Sequence, residues 1–339
     1  PAPGNTPGGV GFGACTWTDL NGNLWLFGGD DGANPPFDNL WKYDPLTNMW
    51  TWMKGGNTPN QPGVYGTLGV AAPGNTPGAR WCYTSWKDNA GNLWLFGGID
   101  AVSPIFMGFY NDLWKYNIVT NQWAWMSGSN LVNQPGVYGA ICTPAPANVP
   151  GGRGETRSCW SDSCGNFWLL GGRDLNFALY NDLWRYAPAT GIWTWVSGDN
   201  TPNQPGVYGT VTVPSPANKP GGRMGAVSWV DASGLWLFGG YDPGGGEMND
   251  LWLYTPDTIA VAVQAQPLSG CVPLTVSFSS TMQAGCSSVK DYGWNFGDPA
   301  SGTADTSTLA LPVHIYNNAG TYTVTLLVLF TTTRVICFP

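Results

Sequence analysis

The side chains able to do chemistry are few, and their types narrow what that chemistry could be. The 339 residues hold one histidine, His314, two glutamates, Glu155 and Glu247, and eight cysteines. A late transition metal needs several imidazole or thiolate donors, and neither a lone His nor cysteines without a Cys-x-x-Cys pair supply them. A glycosidase built on two carboxylates would have to rely on aspartates. The glycine string Gly244-Gly245-Gly246 follows no strand-to-helix pattern, and no nucleophile motif occurs. No catalytic residue, metal or cofactor is therefore predicted. Arg153, Glu155 and Arg157 form the only dense charged cluster, which reads as a solvated loop.

One charged pairing does recur. Pro-Gly-x-Arg places Arg80, Arg153 and Arg223 about 70 residues apart, and each is followed by an aspartate, Asp112, Asp182 or Asp250. The corresponding positions near the N-terminus are Val10 and Asn39, so both charges are missing together. This co-occurrence predicts three Arg to Asp salt bridges, bidentate because a guanidinium presents two parallel donors to a carboxylate.

The elements that must hold these pairs belong to a repeat. Leu24-Trp25-Leu26-Phe27-Gly28-Gly29 returns around Trp94, Trp168 and Trp236, and a Leu-Trp-x-Tyr string returns around Trp41, Trp114, Trp184 and Trp252. Trp-x-Trp occurs at Trp50/Trp52, Trp123/Trp125 and Trp193/Trp195, and Asn-Gln-Pro-Gly-Val-Tyr-Gly begins at Asn60, Asn133 and Asn203. Each unit reads as four short strands between Gly, Pro, Asn and Asp clusters, at about 81–87, 92–97, 112–117 and 122–126 in the second. Asp88-Asn89-Ala90-Gly91 is a hairpin turn between the first two. A lone meander of this kind cannot bury both of its apolar faces, but blades set radially cover one another.

Strand, Gly-Gly, a strand ending in Tyr, then Trp-x-Trp resembles the Kelch motif, and the long form is similar to repeats of secreted Bacteroidetes proteins. The resemblance spans residues 1–257, as units of about 1–60, 61–132, 133–202 and 203–257. It implies a four-repeat Kelch-like β-propeller and says little about a ligand, because the fold serves many functions. The Asn-Gln-Pro-Gly-Val-Tyr-Gly connection is expected to be an ordered, exposed loop. The fourth unit has no Trp-x-Trp strand after Tyr254. Its open edge is expected to be filled by residues 258–265 or by another chain through strand addition.

From residue 258 to 339 the composition turns to Thr, Val and Ser, with alternating runs at 259–265, 273–280, 290–296 and 321–330 that read as sandwich strands. Trp294-Asn295-Phe296-Gly297-Asp298, His314-Ile315-Tyr316 and Gly320-Thr321-Tyr322-Thr323-Val324 closely resemble the PKD domain, an immunoglobulin-like β-sandwich. The resemblance implies an extracellular spacer or adhesion module. Asp298 is expected to cap the following turn rather than to act with His314 in catalysis.

Net charge is -8 with only 10% charged residues and scattered cations, so neither nucleic acid nor an anionic membrane surface is an expected partner. No apolar run is long enough for a membrane helix. The cysteines point to an oxidising compartment, with Cys159 to Cys164 and Cys271 to Cys337 as candidate disulfides. No Asn-x-Ser/Thr acceptor occurs, which favours export from a Gram-negative bacterium over a eukaryotic glycoprotein. The expected protein is a secreted or cell-surface, non-enzymatic structural or interaction protein. Its expected partner is itself, in a homo-polymer or surface assembly, or an extracellular glycan or protein; an accessory fragment of a carbohydrate-active enzyme is the remaining alternative.

Overall fold

The computed structural model describes residues 1–10, 12–30, 35–81, 83–103, 106–162, 164–231, 233–255, 260–283 and 288–331. The chain divides into two compact units, Pro1–Tyr254 and Thr255–Pro339.

The first unit is a series of antiparallel meanders. Blade one comprises β1 (Cys15–Thr18), β2 (Leu24–Phe27), β3 (Leu40–Asp44) and β4 (Met49–Lys54), hydrogen-bonded in that order. In blade two, β5 (Thr84–Lys87) and β6 (Leu93–Phe96) are followed by a small separate hairpin, β7 (Ile99–Ser103) and β8 (Phe106–Phe109), before β9 (Leu113–Asn117) and β10 (Gln122–Ser127) complete the sheet. Blade three is β11 (Cys159–Ser161), β12 (Phe167–Arg173), β13 (Leu179–Ala187) and β14 (Ile192–Ser197). Blade four has three strands among the described residues, β15 (Val227–Asp231), β16 (Gly234–Tyr241) and β17 (Glu247–Tyr254).

The first hairpin of each of the first three blades is fixed by one aspartate. Asp88 Oδ1 accepts from the amides of Ala90 and Asn92, while Oδ2 accepts from the Trp94 indole at 2.9 Å. Asp19 with Trp25 and Asp162 with Trp168 repeat this, so an Asp six residues before a Trp ties turn and strand together.

Period-two alternation then gives every blade two apolar faces, and successive blades share them. Trp17, Trp25, Phe27 and Leu40 on the trailing face of blade one pack against Leu93, Leu95, Trp114, Tyr116 and Trp123 on the leading face of blade two. Trp86, Trp94, Phe96 and Leu113 meet Phe167, Leu169, Trp184, Tyr186 and Trp193 in the same way. Innermost strands lie side by side from blade to blade. The Trp17 indole donates to Trp86 O, and the Trp160 indole to Trp236 O, both at 2.9 Å.

The second unit is a sandwich of two three-stranded sheets. With β18 (Ala260–Gln266), β19 (Leu274–Gln283), β20 (Ser288–Asn295), β21 (Thr306–Ser307), β22 (Val313–Tyr316) and β23 (Thr325–Thr331), the strand orders are β18-β19-β22 and β21-β20-β23. Val276, Phe278, Trp294, Phe296 and Tyr316 form its core.

Candidate interaction surface

Each of blades two to four contains the same polar node, buried in blades two and three and partly open in blade four. Arg80 donates to Asp112 through both terminal nitrogens, at 2.6 and 2.9 Å, and its remaining donors reach Gly78 O and Gly97 O. Arg153 holds Asp182 at 2.7 and 2.8 Å, and Arg223 holds Asp250 at 2.8 and 2.7 Å. All six residues named from the sequence are thus brought together as three bidentate pairs, the first two fully buried. Burial alone would lower the Arg80 and Arg153 pKa, but the facing carboxylates outweigh it and raise both.

Two further donors complete the node. Asp112 Oδ2 also accepts from Tyr65 Oη and the Trp114 indole, each at 2.7 Å, and Asp182 does so from Tyr138 and Trp184. These tyrosines belong to the Asn-Gln-Pro-Gly-Val-Tyr-Gly connection. The connection is expected to be an exposed loop, but its tyrosine turns inward onto the next blade and anchors it there. The signal was available, since the motif precedes only the three units that carry the Arg–Asp pair.

The arginine backbone also joins each of these blades to the one before it. Arg153 N donates to Tyr110 O, and Arg153 O accepts from Gly98 N, so its main chain is bonded to blade two while its side chain is bonded to blade three. Arg80 and Arg223 bridge their own blade pairs in the same way. A Cβ on Gly28, Gly97 or Gly171, each at positive φ, would lie 2.7 to 2.8 Å from the arginine carbonyl of the next blade. The Gly-Gly pair is therefore the seat for that arginine. Blade one carries Val10 and Asn39 at the two positions. Its Trp41 indole consequently has no acceptor among the described residues.

Blade four is followed by no further blade in this chain, and its trailing face lies open. Phe96 is 1% exposed but its equivalent Phe238 is 43%; Leu113 is fully buried but Leu251 is 55% exposed. Val227, Trp229 and Leu253 are exposed beside them. Blade one shows the complementary deficit, with Leu24 exposed and Leu26, Trp41, Tyr43 and Trp50 only half-buried where Leu93, Leu95, Trp114, Tyr116 and Trp123 are buried in blade two. These are the same sets of positions that meet between blades one and two and between blades two and three.

Other residues singled out in the sequence fall differently. The Arg153, Glu155 and Arg157 cluster does not assemble: Arg153 is committed to Asp182, Glu155 faces Arg173 at 3.9 Å, and Arg157 lies over the Phe12 ring. Cys159 and Cys164 do not form the expected disulfide. The Cys159 Sγ points to Ser85 O of blade two at 3.7 Å, and burial pushes its thiol up to about 11. Strand β11 directs it towards the neighbouring blade and away from the hairpin that carries Cys164. Cys271 is exposed, and its expected partner Cys337 lies outside the described residues. Asp298 does not cap the following turn with its side chain; its Oδ2 lies 3.1 Å from His314 Nε2, and Phe296 stacks on the imidazole. Among the described residues no three His, Cys, Asp or Glu side chains converge.

The family model of the Kelch motif matches residues 20–51, and that of the PKD domain matches 259–332. Over 187 residues, 55% of this chain, the sequence is 28% identical to the Multiple epidermal growth factor-like domains protein 8 of Homo sapiens and equally to that of Mus musculus; the chain spans 5% of the length of either. A solved structure titled "Structure of YjhT" aligns over 93% of this chain and 83% of its own, at a TM-score of 0.44 and 17% identity. The protein is a Kelch-type β-propeller segment followed by a PKD β-sandwich. Both are domain types of interaction and structural proteins and are usually non-catalytic.

Proposed function

We propose that this is an exported assembly subunit, in which the trailing face of blade four docks on the leading face of blade one in a second copy while the PKD unit serves as spacer or junction. The observation that carries this reading is the exposure of Phe238 and Leu251, whose blade-two equivalents Phe96 and Leu113 are buried. A contiguous apolar face of this kind is costly to leave in water and marks a contact site. Blade one supplies the partner surface by composition, because Leu24, Leu26, Trp41 and Tyr43 repeat the residues that cover such a face elsewhere in the chain. The contact is heterologous, so copies joined through it build a closed ring or an open filament.

Sedimentation of the full chain across a concentration series tests it. Association that deepens with concentration and is abolished by Leu251→Lys is expected. A chain that stays monomeric throughout, or an association that survives Leu251→Lys, overturns the reading.

A further inference from the structure

We infer that the outer edge of blade four is a preformed receptor for an extended Trp-x-Trp segment of another polypeptide, bound as the missing fourth strand. This goes beyond the face-to-face contact proposed above, since it concerns the sheet edge and its own set of hydrogen-bonding groups.

In blades two and three the fourth strand is held from two sides. One side is the third strand, with Trp184 opposite Trp195 and Tyr186 opposite Trp193 in blade three. The other is the long connection arriving from the previous blade. Its amide at Gly69 donates to Trp125 O, and at Cys142 to Trp195 O, both at 2.7 Å. Its asparagine, Asn75 or Asn148, donates through Nδ2 to Trp123 O or Trp193 O, at 3.1 and 3.2 Å. Its tyrosine packs between two indoles, Tyr65 between Trp114 and Trp125 and Tyr138 between Trp184 and Trp195, with centroids 4.9 to 5.2 Å apart. Both Trp carbonyls and the second Trp ring are thus recognised by fixed groups.

Blade four keeps the connection that supplies these groups, and among the described residues no strand lies in the slot. Tyr208 packs on Trp252 at 5.0 Å, and with no second indole against it the residue is 53% exposed. Asn218 Nδ2 keeps its local bond to Val213 O, but the bond to a Trp carbonyl has no counterpart among the described residues. Thr212 stands where Gly69 and Cys142 stand, and among the described residues its amide has no acceptor. It holds the same left-handed conformation, φ 64° against 77° and 58°, which a β-branched residue adopts only at a cost. The outer edge of β17 runs alongside, the last strand of a three-stranded sheet.

Downstream of Tyr254 the sequence holds no Trp-x-Trp segment of the kind the slot reads. Of residues 258–265, the expected alternative to another chain, 258 and 259 lie outside the described residues, and 260–265 pair with β19 in the second unit. The Trp-x-Trp strands β4, β10 and β14 are each committed to their own blade. The occupant that matches these groups is an aromatic strand of another polypeptide, recognised by β-augmentation along β17, with Tyr208, Thr212 and Asn218 reading the Trp-x-Trp spacing.

The probe is a synthetic peptide with the sequence of residues 190–199, which contains the Trp-x-Trp strand of blade three, titrated onto the full chain at a concentration where the chain is monomeric. Expected are saturable binding with slowed amide exchange at Thr212 and along β17, and binding weakened about tenfold or more in Asn218→Ala and in Tyr208→Ala, equivalent to about 1.4 kcal/mol or more. Unchanged binding to Phe238→Lys, which alters the same open face from β16 and not from the strand the peptide pairs with, separates this slot from the face-to-face contact, so either idea can fail alone. Absence of exchange protection at about 1 mM peptide, or equal binding of a peptide with both tryptophans replaced by alanine, overturns the inference.

Discussion

Replacing Asp182 by alanine should be far more damaging than the same change at Asp250, although the two residues make the same bonds. In blade three the change strands a fully buried guanidinium and removes the acceptor of Tyr138 Oη and the Trp184 indole. Breaking a buried pair by deleting one partner costs about 3–5 kcal/mol. Each orphaned donor adds about 1 kcal/mol, less than additively because all three share one carboxylate. The expected loss is about 4–6 kcal/mol, a large part of the stability of any domain. In blade four the Asp250 side chain is 13% exposed and Tyr208 is half in water, so solvent replaces part of what is lost; about 2 kcal/mol is expected there. Nineteen of the 20 tryptophans precede residue 255, so intrinsic fluorescence in urea follows the first unit almost alone. Replacing both partners, Arg153→Met with Asp182→Leu, should recover part of the Asp182→Ala loss, because an apolar pair leaves no buried charge. Equal losses at Asp182 and Asp250, or a loss below about 1 kcal/mol at Asp182, would show that the node is not what locks successive blades together.

Two further outcomes follow from single residues. Asp38 is buried in blade one at the position of Asn111 and Asn181, and burial raises its pKa; because the folded state prefers the protonated form, stability is full below about pH 4 and is lost as pH rises through the raised value. Asp38→Asn should therefore stabilise the first unit by about 1 kcal/mol at neutral pH and by progressively less on acidification, which urea titrations at several pH values would check. Cys159, with its thiol at about 11, should resist iodoacetamide at pH 8 in the native protein and label once unfolded without reductant; labelling of native Cys159, or none after unfolding, contradicts the packed-thiol geometry.

Much of the node was legible in the sequence. Comparing four copies of one unit exposed the joint absence of Arg and Asp at Val10 and Asn39, and a pair that comes and goes together is a pair in contact. Tyr65 and Tyr138 read as loop residues because the motif's Pro and Gly are turn formers, and nothing local shows that the turn aims its phenol into a neighbouring sheet. Hairpin β7–β8 escaped because its loop is longer than its counterparts: Ile99 pairs with Phe109 where Arg173 pairs with Leu179 and Tyr241 with Glu247, and the added residues break the alignment of the repeats. The Cys159 to Cys164 pairing failed for a related reason: sequence proximity across a hairpin says nothing about which face of β11 the thiol occupies.

What the amino-acid sequence determined by itself is the blade. Alternation of Leu and Trp, the Asp that ties each first turn and the Gly-Gly that ends the second strand act within a few residues of one another, so local chemistry specifies them. Only the tertiary structure decided which faces are finished. Phe96 and Phe238 stand in the same motif, yet one is buried and the other open, because burial depends on whether a neighbouring sheet is there to exclude water. The slot beside β17 is visible for the same reason: Thr212 and Asn218 look ordinary in the sequence, and only the bonds made by their counterparts in blades two and three reveal what they are placed to hold.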